Sequence, residues 1–173
     1  MSTQIGPDLP PEDPIIVAAE APRMAAGCAV FDVWIGNPDR HEENLLYSAQ
    51  YGLWLIDHEQ ALAGTESDLE AACERLQSAP LRTHMFRDVT LDPVEVNLWT
   101  TRITHNFSMS VVDGILEDAR LRGLFTRPTM RAYRHLLATR KARLAELVHK
   151  SNLIENDSEN GEEEIPWPVD GGS

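Results

Sequence analysis

Apolar residues in this chain recur mostly at helical spacing. Between Arg23 and Ile35, the positions Ala26, Val30, Val33 and Trp34 form one stripe of a predicted helix. Pro22 suits its first turn, and Gly36-Asn37-Pro38 ends it, because Gly accepts left-handed φ and Pro cannot continue the ladder. Just upstream, Ile15-Ile16-Val17-Ala18-Ala19 reads equally as a short strand or a helix start. Past residue 60 the helical period returns. Ser67, with Glu70 three residues on, makes a capping box for a helix running to Leu76. Asp92-Pro93 opens a helix from Val94 to His105, with Val96, Leu98, Trp99 and Ile103 as core candidates. Ser108 or Ser110 caps another through Leu121, ended by Gly123. Thr126-Arg127-Pro128 begins the last and longest helix, to about Lys150. Met130, Tyr133, Leu137, Leu144, Leu147 and Val148 line one side of it; Arg127, Arg131, Arg134, Arg140, Lys141 and Arg143 fill the rest as a solvated face.

Only one stretch departs from this period. Leu45-Leu46-Tyr47 and Leu53-Trp54-Leu55-Ile56 flank Ser48-Ala49-Gln50-Tyr51-Gly52, two short β runs around a Gly-containing turn. The expected fold is therefore mainly α, one domain with a hairpin at about 44–56 and no larger sheet. Pro80 to Asp92 is irregular and reads as a connector, or by analogy as a substrate-facing loop.

The ends and the charge refine this picture. Residues 1–14 hold four prolines and three acids and read as a flexible lead; 151–173 reads as a disordered acidic tail. Trp167, between two prolines, is its one anchor-like feature. The net charge of −13 is uneven. Residues 1–119 carry 20 acidic and 6 basic side chains, residues 120–150 carry 9 basic and 1 acidic, and the tail carries 7 acidic and none basic. The basic helix is a candidate docking face for an acidic partner, nucleic acid or anionic lipid, or a seat for the tail itself. Of these, nucleic acid is not the expected partner. No apolar run nears the ~20 residues that cross a bilayer, and MSTQIGPDLPPEDP lacks the features of a secretory signal, so cytoplasm is the expected compartment. Cys28 and Cys73 sit in apolar helical contexts and read as buried thiols.

The candidate chemistry lies where the first helix meets the hairpin. The loop Asp39-Arg40-His41-Glu42-Glu43-Asn44 leads into the first strand, and Asp57 directly follows the second. An Asp, an Asn five residues later and an Asp at the far end of a hairpin can converge. Phosphoryl transfer needs a carboxylate for the acceptor hydroxyl and oxygen ligands for the metal on the nucleotide phosphates, and kinases meet that need with D-x-x-x-x-N and a later Asp.

Asn37, Asp39, Arg40, His41 and Asn44, with Ile56, Asp57 and His58, resemble the catalytic core of the HipA-like and phosphoinositide 3-/4-kinase-like families. The likeness covers about a sixth of the chain. It implies a protein-kinase-like C-lobe over residues 15–150, with the catalytic loop at 36–44. Asp39 would orient the acceptor, with Arg40 and His41 supporting the loop or the phosphate. Asn44 and Asp57 would hold Mg²⁺ and, through it, ATP. His41 and His58 also read as structural histidines bracing the hairpin. Glu59 departs from the pattern, which has Gly there, and puts negative charge beside the implied metal site.

A kinase also needs a Gly-rich loop over the phosphates and a strand Lys. Only 38 residues precede Asp39; they hold no such loop, and the first lysine is Lys141. The resemblance thus implies a C-lobe without its N-lobe. Two functions follow: a HipA-like kinase module transferring the ATP γ-phosphate to a protein or small-molecule hydroxyl, incomplete alone, or a non-catalytic pseudokinase-like interaction module. Expected partners are a second chain supplying the N-lobe or a protein substrate, and no membrane span is expected.

Overall fold

The computed structural model describes residues 13–48, 52–64 and 66–153. The fold is mainly helical, with a single two-stranded sheet among the described residues. The hairpin turn at 49–51, most of the lead and the tail from 154, Trp167 included, lie outside them.

Helix α1 spans Pro14–Glu20 and resolves the ambiguity at Ile15–Ala19 in favour of helix. Asp13 caps it by accepting from the Ile15 N–H at 2.8 Å, and Pro14 supplies the preset φ of a first turn. The cap therefore falls inside the segment expected to be a flexible lead.

Helix α2, Pro22–Ile35, is the centre of the molecule. From Ala25 to Ile35 every residue is buried except Phe31, which is half-buried. A helix apolar on all sides is one that neighbours surround, and α1, the hairpin and three later helices all pack on it. Each large side chain buried here stabilises by roughly 1.5–3 kcal/mol. The stripe Ala26, Val30, Val33 and Trp34 is buried as expected, and the Trp34 indole N–H donates to the Leu137 carbonyl at 3.0 Å.

Strands β1, Leu45–Ser48, and β2, Gly52–Leu55, pair antiparallel with Leu45 opposite Leu55 and Leu46 opposite Trp54. The pleat sorts the residues by face. Leu45, Tyr47, Leu53 and Leu55 turn to the core, while Trp54 stands 56 % exposed on the outer face.

Helix α3 spans Leu69–Leu76 and starts one residue later than the Ser67–Glu70 box implies. The cap is Asp68, whose carboxylate accepts from the Ala71 N–H at 3.1 Å. Helix α4, Pro93–Thr101, is capped by Asp92 and continues as a π-helical turn, Arg102–Asn106. Val96 and Ile103 are buried, but Leu98 is exposed, a correction with a simple cause. Two residues on from Val96 is about 200° around the helix, on the opposite face. Helix α5, Met109–Leu121, takes its cap from Ser108.

The long terminal helix is two helices, α6 Arg127–Ala142 and α7 Leu144–Lys150, broken at Arg143. The break lets Leu137 on α6 and Leu144, Leu147 and Val148 on α7 all join the core around α2. Its basic face also differs from expectation. Arg140 is fully buried, not solvated. Arg134 pairs with Asp113 of α5 at 2.6 Å, and Arg143 and Lys150 share Glu146 at 2.8 and 2.6 Å. Ordered packing runs past residue 150: Ser151 Oγ accepts from the Leu81 N–H at 3.0 Å, and Leu153 is buried. Cys28 and Cys73 are free buried thiols. No single described helix is long and apolar enough to cross a membrane.

Candidate functional site

The site is built on the end of α2. Gly36 takes the left-handed conformation (φ 65°), and the N–H groups of Gly36 and Asn37 both return to the Asp32 carbonyl. A side chain at 36 would also meet Leu76 at 2.7 Å, so Gly is required twice over. The chain then leaves the helix pointing Asn37 inward, fully buried, and Asp39 outward, exposed.

Asp32, which the sequence reading passed over, organises this loop. Its fully buried carboxylate accepts from Arg40 Nε at 2.7 Å, Arg40 Nη2 at 3.1 Å, Asn37 Nδ2 at 3.1 Å and the Cys28 thiol at 3.6 Å. His84 Nε2 adds a contact at 3.2 Å. The Phe86 N–H donates to His84 Nδ1 at 3.1 Å, which leaves the ring hydrogen on Nε2, directed at Asp32. Burial alone would push the Asp32 carboxyl up; the hydrogen bonds from His84 and Arg40, with the Arg40 charge, hold it below the ordinary value. The same burial, with Asp32 adjacent, pushes the Cys28 thiol well up. Cys28, Asp32 and His84 stand close enough to hold a metal ion. The Arg40 guanidinium already supplies the positive charge there, so hydrogen bonding accounts for the cluster.

Arg40 carries this anchor to the hairpin. Its Nη1 donates to the carbonyls of Asn44 at 2.6 Å and Ile56 at 2.9 Å, where the Ile56 N–H also meets the Asn44 carbonyl at 3.2 Å. One buried guanidinium therefore ties the end of α2, the last loop residue and the end of β2. Four of its five N–H donors are spent on protein acceptors and its side chain is sealed from solvent, so Arg40 supports the loop rather than a phosphate.

The candidate site residues Asp39, Asn44 and Asp57 lie beside this clamp. Asn44 is 5 % exposed and donates its amide N–H to the Asp39 carbonyl at 2.8 Å. Among the described residues nothing donates to its Oδ1. The Asp39 backbone N–H donates to Asn37 Oδ1 at 3.2 Å, and the Asp39 residue is exposed. Asp57, next to the clamped Ile56, is exposed and adopts φ 50°. His41 is half-buried beside Arg40. His58 packs edge-on against Phe31, 6.2 Å between centroids; partial burial and the Arg40 charge lower its pKa.

Asp57 also answers the question raised by Glu59. The left-handed turn falls at 57, and again at 62 and 63, while Glu59 keeps a negative φ. No glycine is needed at 59 because the backbone turns elsewhere.

A strap braces the loop from outside. Thr83 Oγ1 donates to the Pro38 carbonyl at 2.7 Å, the Met85 N–H to the Arg40 carbonyl at 3.0 Å, and Phe86 is fully buried between them and the core. The segment Pro80–Asp92 is thus a structural brace. Beside the loop, a cavity of about 220 Å³ opens between Gly36 and Pro38, Gln60 and Ala63, and the α3 residues Ala72 and Leu76.

Compared with models of known protein families, with curated proteins and with solved structures, the chain matches none.

Proposed function

We propose that this chain is the C-lobe-like half of a HipA-like phosphotransferase, placing an acceptor hydroxyl and a magnesium-bound nucleotide against Asp39. The observation that carries the reading is the Arg40 clamp. It fixes Asn44 against Ile56, and so Asn44 beside the strand end that bears Asp57. Asn44 Oδ1 and the Asp57 carboxylate are hard oxygen donors, the kind Mg²⁺ takes. The metal, when bound, neutralises charge on the nucleotide phosphates. Asp39 accepts the acceptor hydroxyl's hydrogen bond and orients it. His41 shapes the loop between Asp39 and Asn44. The cavity beside Pro38 offers the acceptor a small, mostly apolar bay one residue from Asp39.

The phosphate-gripping elements would come from a second chain or from another part of a longer protein. A second reading, a pseudokinase-like interaction module, is favoured by one observation: no lysine stands ahead of Lys141 to hold phosphates. Calorimetric titration with Mg²⁺–ATP and with Mn²⁺ tests the first. Weak binding that Asp57→Ala abolishes supports it; identical behaviour of wild type and variant leaves only the interaction module.

A further inference from the structure

Residues 1–119 hold 20 acidic side chains against 6 basic ones, so every arginine there has acids to choose from. Arg40 pairs with Asp32 and Arg75 with Glu66. Arg23 and Arg102, like Arg82 and Arg87, do not pair: among the described residues none of the four has a carboxylate within ion-pair distance. Yet Arg23 and Arg102 both line one cavity of about 300 Å³, together with Glu95, Trp99 and Asn106.

The cavity is built, not incidental. Glu95, Trp99, Arg102 and Asn106 follow one another at four-, three- and four-residue steps, so they share one side of α4 and its π turn. Arg23 comes from the first turn of α2. The Trp99 indole is fixed between them. Its Nε1–H donates to the Arg23 carbonyl at 2.7 Å, and a Cβ at Gly27 would lie 2.6 Å from the ring, so only glycine admits it. The Arg102 guanidinium lies over the ring, 4.6 Å from its centroid. At Arg102 the helix also changes form. The Phe107 N–H reaches back five residues to the Arg102 carbonyl, a π turn of the kind that collects at functional sites.

We propose that this cavity binds the phosphate group of a small hydroxylated organic phosphate. Two guanidinia suit a dianion, each presenting its planar fork to phosphate oxygens, and the Asn106 amide is a further donor. Glu95 in the same cavity accepts from a hydroxyl of the organic part and repels a ligand that is anionic throughout. The site lies on α2 and α4, and does not depend on the phosphotransfer chemistry at Asp39.

The test uses the full ¹⁵N-labelled chain at low, fixed ionic strength. The Trp99 indole N–H signal, assigned by its loss in Trp99→Phe, is followed during titration with glycerol 3-phosphate, inorganic phosphate and acetate. A saturable shift is expected with glycerol 3-phosphate, a weaker one with inorganic phosphate and none with acetate. Arg23→Gln and Arg102→Gln should each weaken binding about tenfold or more, the worth of a charged hydrogen bond. Both side chains are exposed, so the variants should keep the remaining spectrum unchanged. Arg82→Gln, also at an exposed arginine, should bind like wild type. Equal affinity for the two phosphates would remove Glu95 from the site. A Trp99 signal that no phosphate moves, or equal weakening by Arg82→Gln, would overturn the proposal.

Discussion

His84 Nε2 meets Asp32 Oδ2 at 3.2 Å, joining residues 52 positions apart in the chain and binding the strap to the end of α2. Because Asp32 holds Arg40, and Arg40 holds the carbonyls of Asn44 and Ile56, the strap and the candidate ligands belong to one buried network. Removing its cation should cost more than removing its imidazole. Arg40→Ala leaves a buried carboxylate without its charge partner, a loss of about 3–5 kcal/mol. His84→Ala removes two hydrogen bonds, the one to Asp32 and the one from the Phe86 N–H, together about 1–3 kcal/mol. Urea denaturation of the two variants and the double variant should show strong non-additivity; simple additivity would mean that the network is not one unit.

The same carboxylate sets an acid limit. Its pKa is depressed in the folded state, so its stabilisation is complete above the ordinary carboxylate value, roughly 4, and is lost as pH falls below that. Acid unfolding followed by circular dichroism should begin in that range, and Asp32→Asn should flatten the dependence there while lowering stability at neutral pH. An unchanged acid limb in Asp32→Asn would move the cause to other carboxylates.

Arg140 plays a different part. Among the described residues it has no carboxylate partner; it donates instead to the carbonyls of Val33 and Trp34 at the end of α2, of Leu76 at the end of α3, and of Ala79 just beyond it. Burial, with Arg143 nearby, pushes its pKa down to about 10, which leaves it charged at neutral pH. It satisfies helix-end carbonyls and complements two helix dipoles at once. Arg140→Met should therefore destabilise by about 3 kcal/mol or more, with several buried acceptors orphaned. Arg131→Met, at an exposed position of the same helix, serves as the control and should change stability by less than about 0.5 kcal/mol.

Backbone strain after β2 makes opposite predictions at two nearby positions. Ala63 sits at φ 60°, where a Cβ costs roughly 1–2 kcal/mol, so Ala63→Gly should raise the melting temperature. Glu59 has an ordinary φ, and Glu59→Gly should lower it by adding only chain entropy to the unfolded state. A stabilising Glu59→Gly would mean that the turn does need glycine there.

Much of this architecture was legible because it is local. Helix periods, Pro and Gly stops and the alternation of the hairpin are short-range signals, and they place α2, the hairpin and α4 nearly to the residue. The loop Asp39–Asn44 and Asp57 were legible because a five-residue spacing and a hairpin bring their backbones together. The burial of Arg140 was not, since an arginine on an amphipathic helix looks solvated until helix ends from elsewhere arrive to accept from it. Asp32 left one trace, an acid within the apolar run Cys28–Ile35, but its partner His84 lies in a segment without period. The break at Arg143 leaves α6 and α7 both packed on α2, a relation between distant segments that no window of one helix contains.

The activity of the isolated chain separates the two proposed functions. Phosphoryl transfer is catalysed by positioning and by electrostatic stabilisation of the transferring group, with little covalent chemistry for the protein. In the proposed reading the acceptor side is the loop bearing Asp39, which Arg40 and Asp32 hold firmly. The phosphate side would lack a grip within this sequence, where neither a Gly-rich loop nor a lysine precedes Asp39. Loss of one well-placed electrostatic contact costs on the order of 10²–10³ in rate, and a lid and a lysine together cost more than one. The purified chain should therefore transfer labelled phosphate from ATP no faster than its Asp39→Asn variant. Asp39 is exposed and, among the described residues, its carboxylate accepts no hydrogen bond, so that variant tests chemistry more than stability. Asp39-dependent turnover by the chain alone would show that a homodimer, or a segment outside the described residues, supplies the grip. Turnover that appears only when a second chain is added would identify that chain as the missing half.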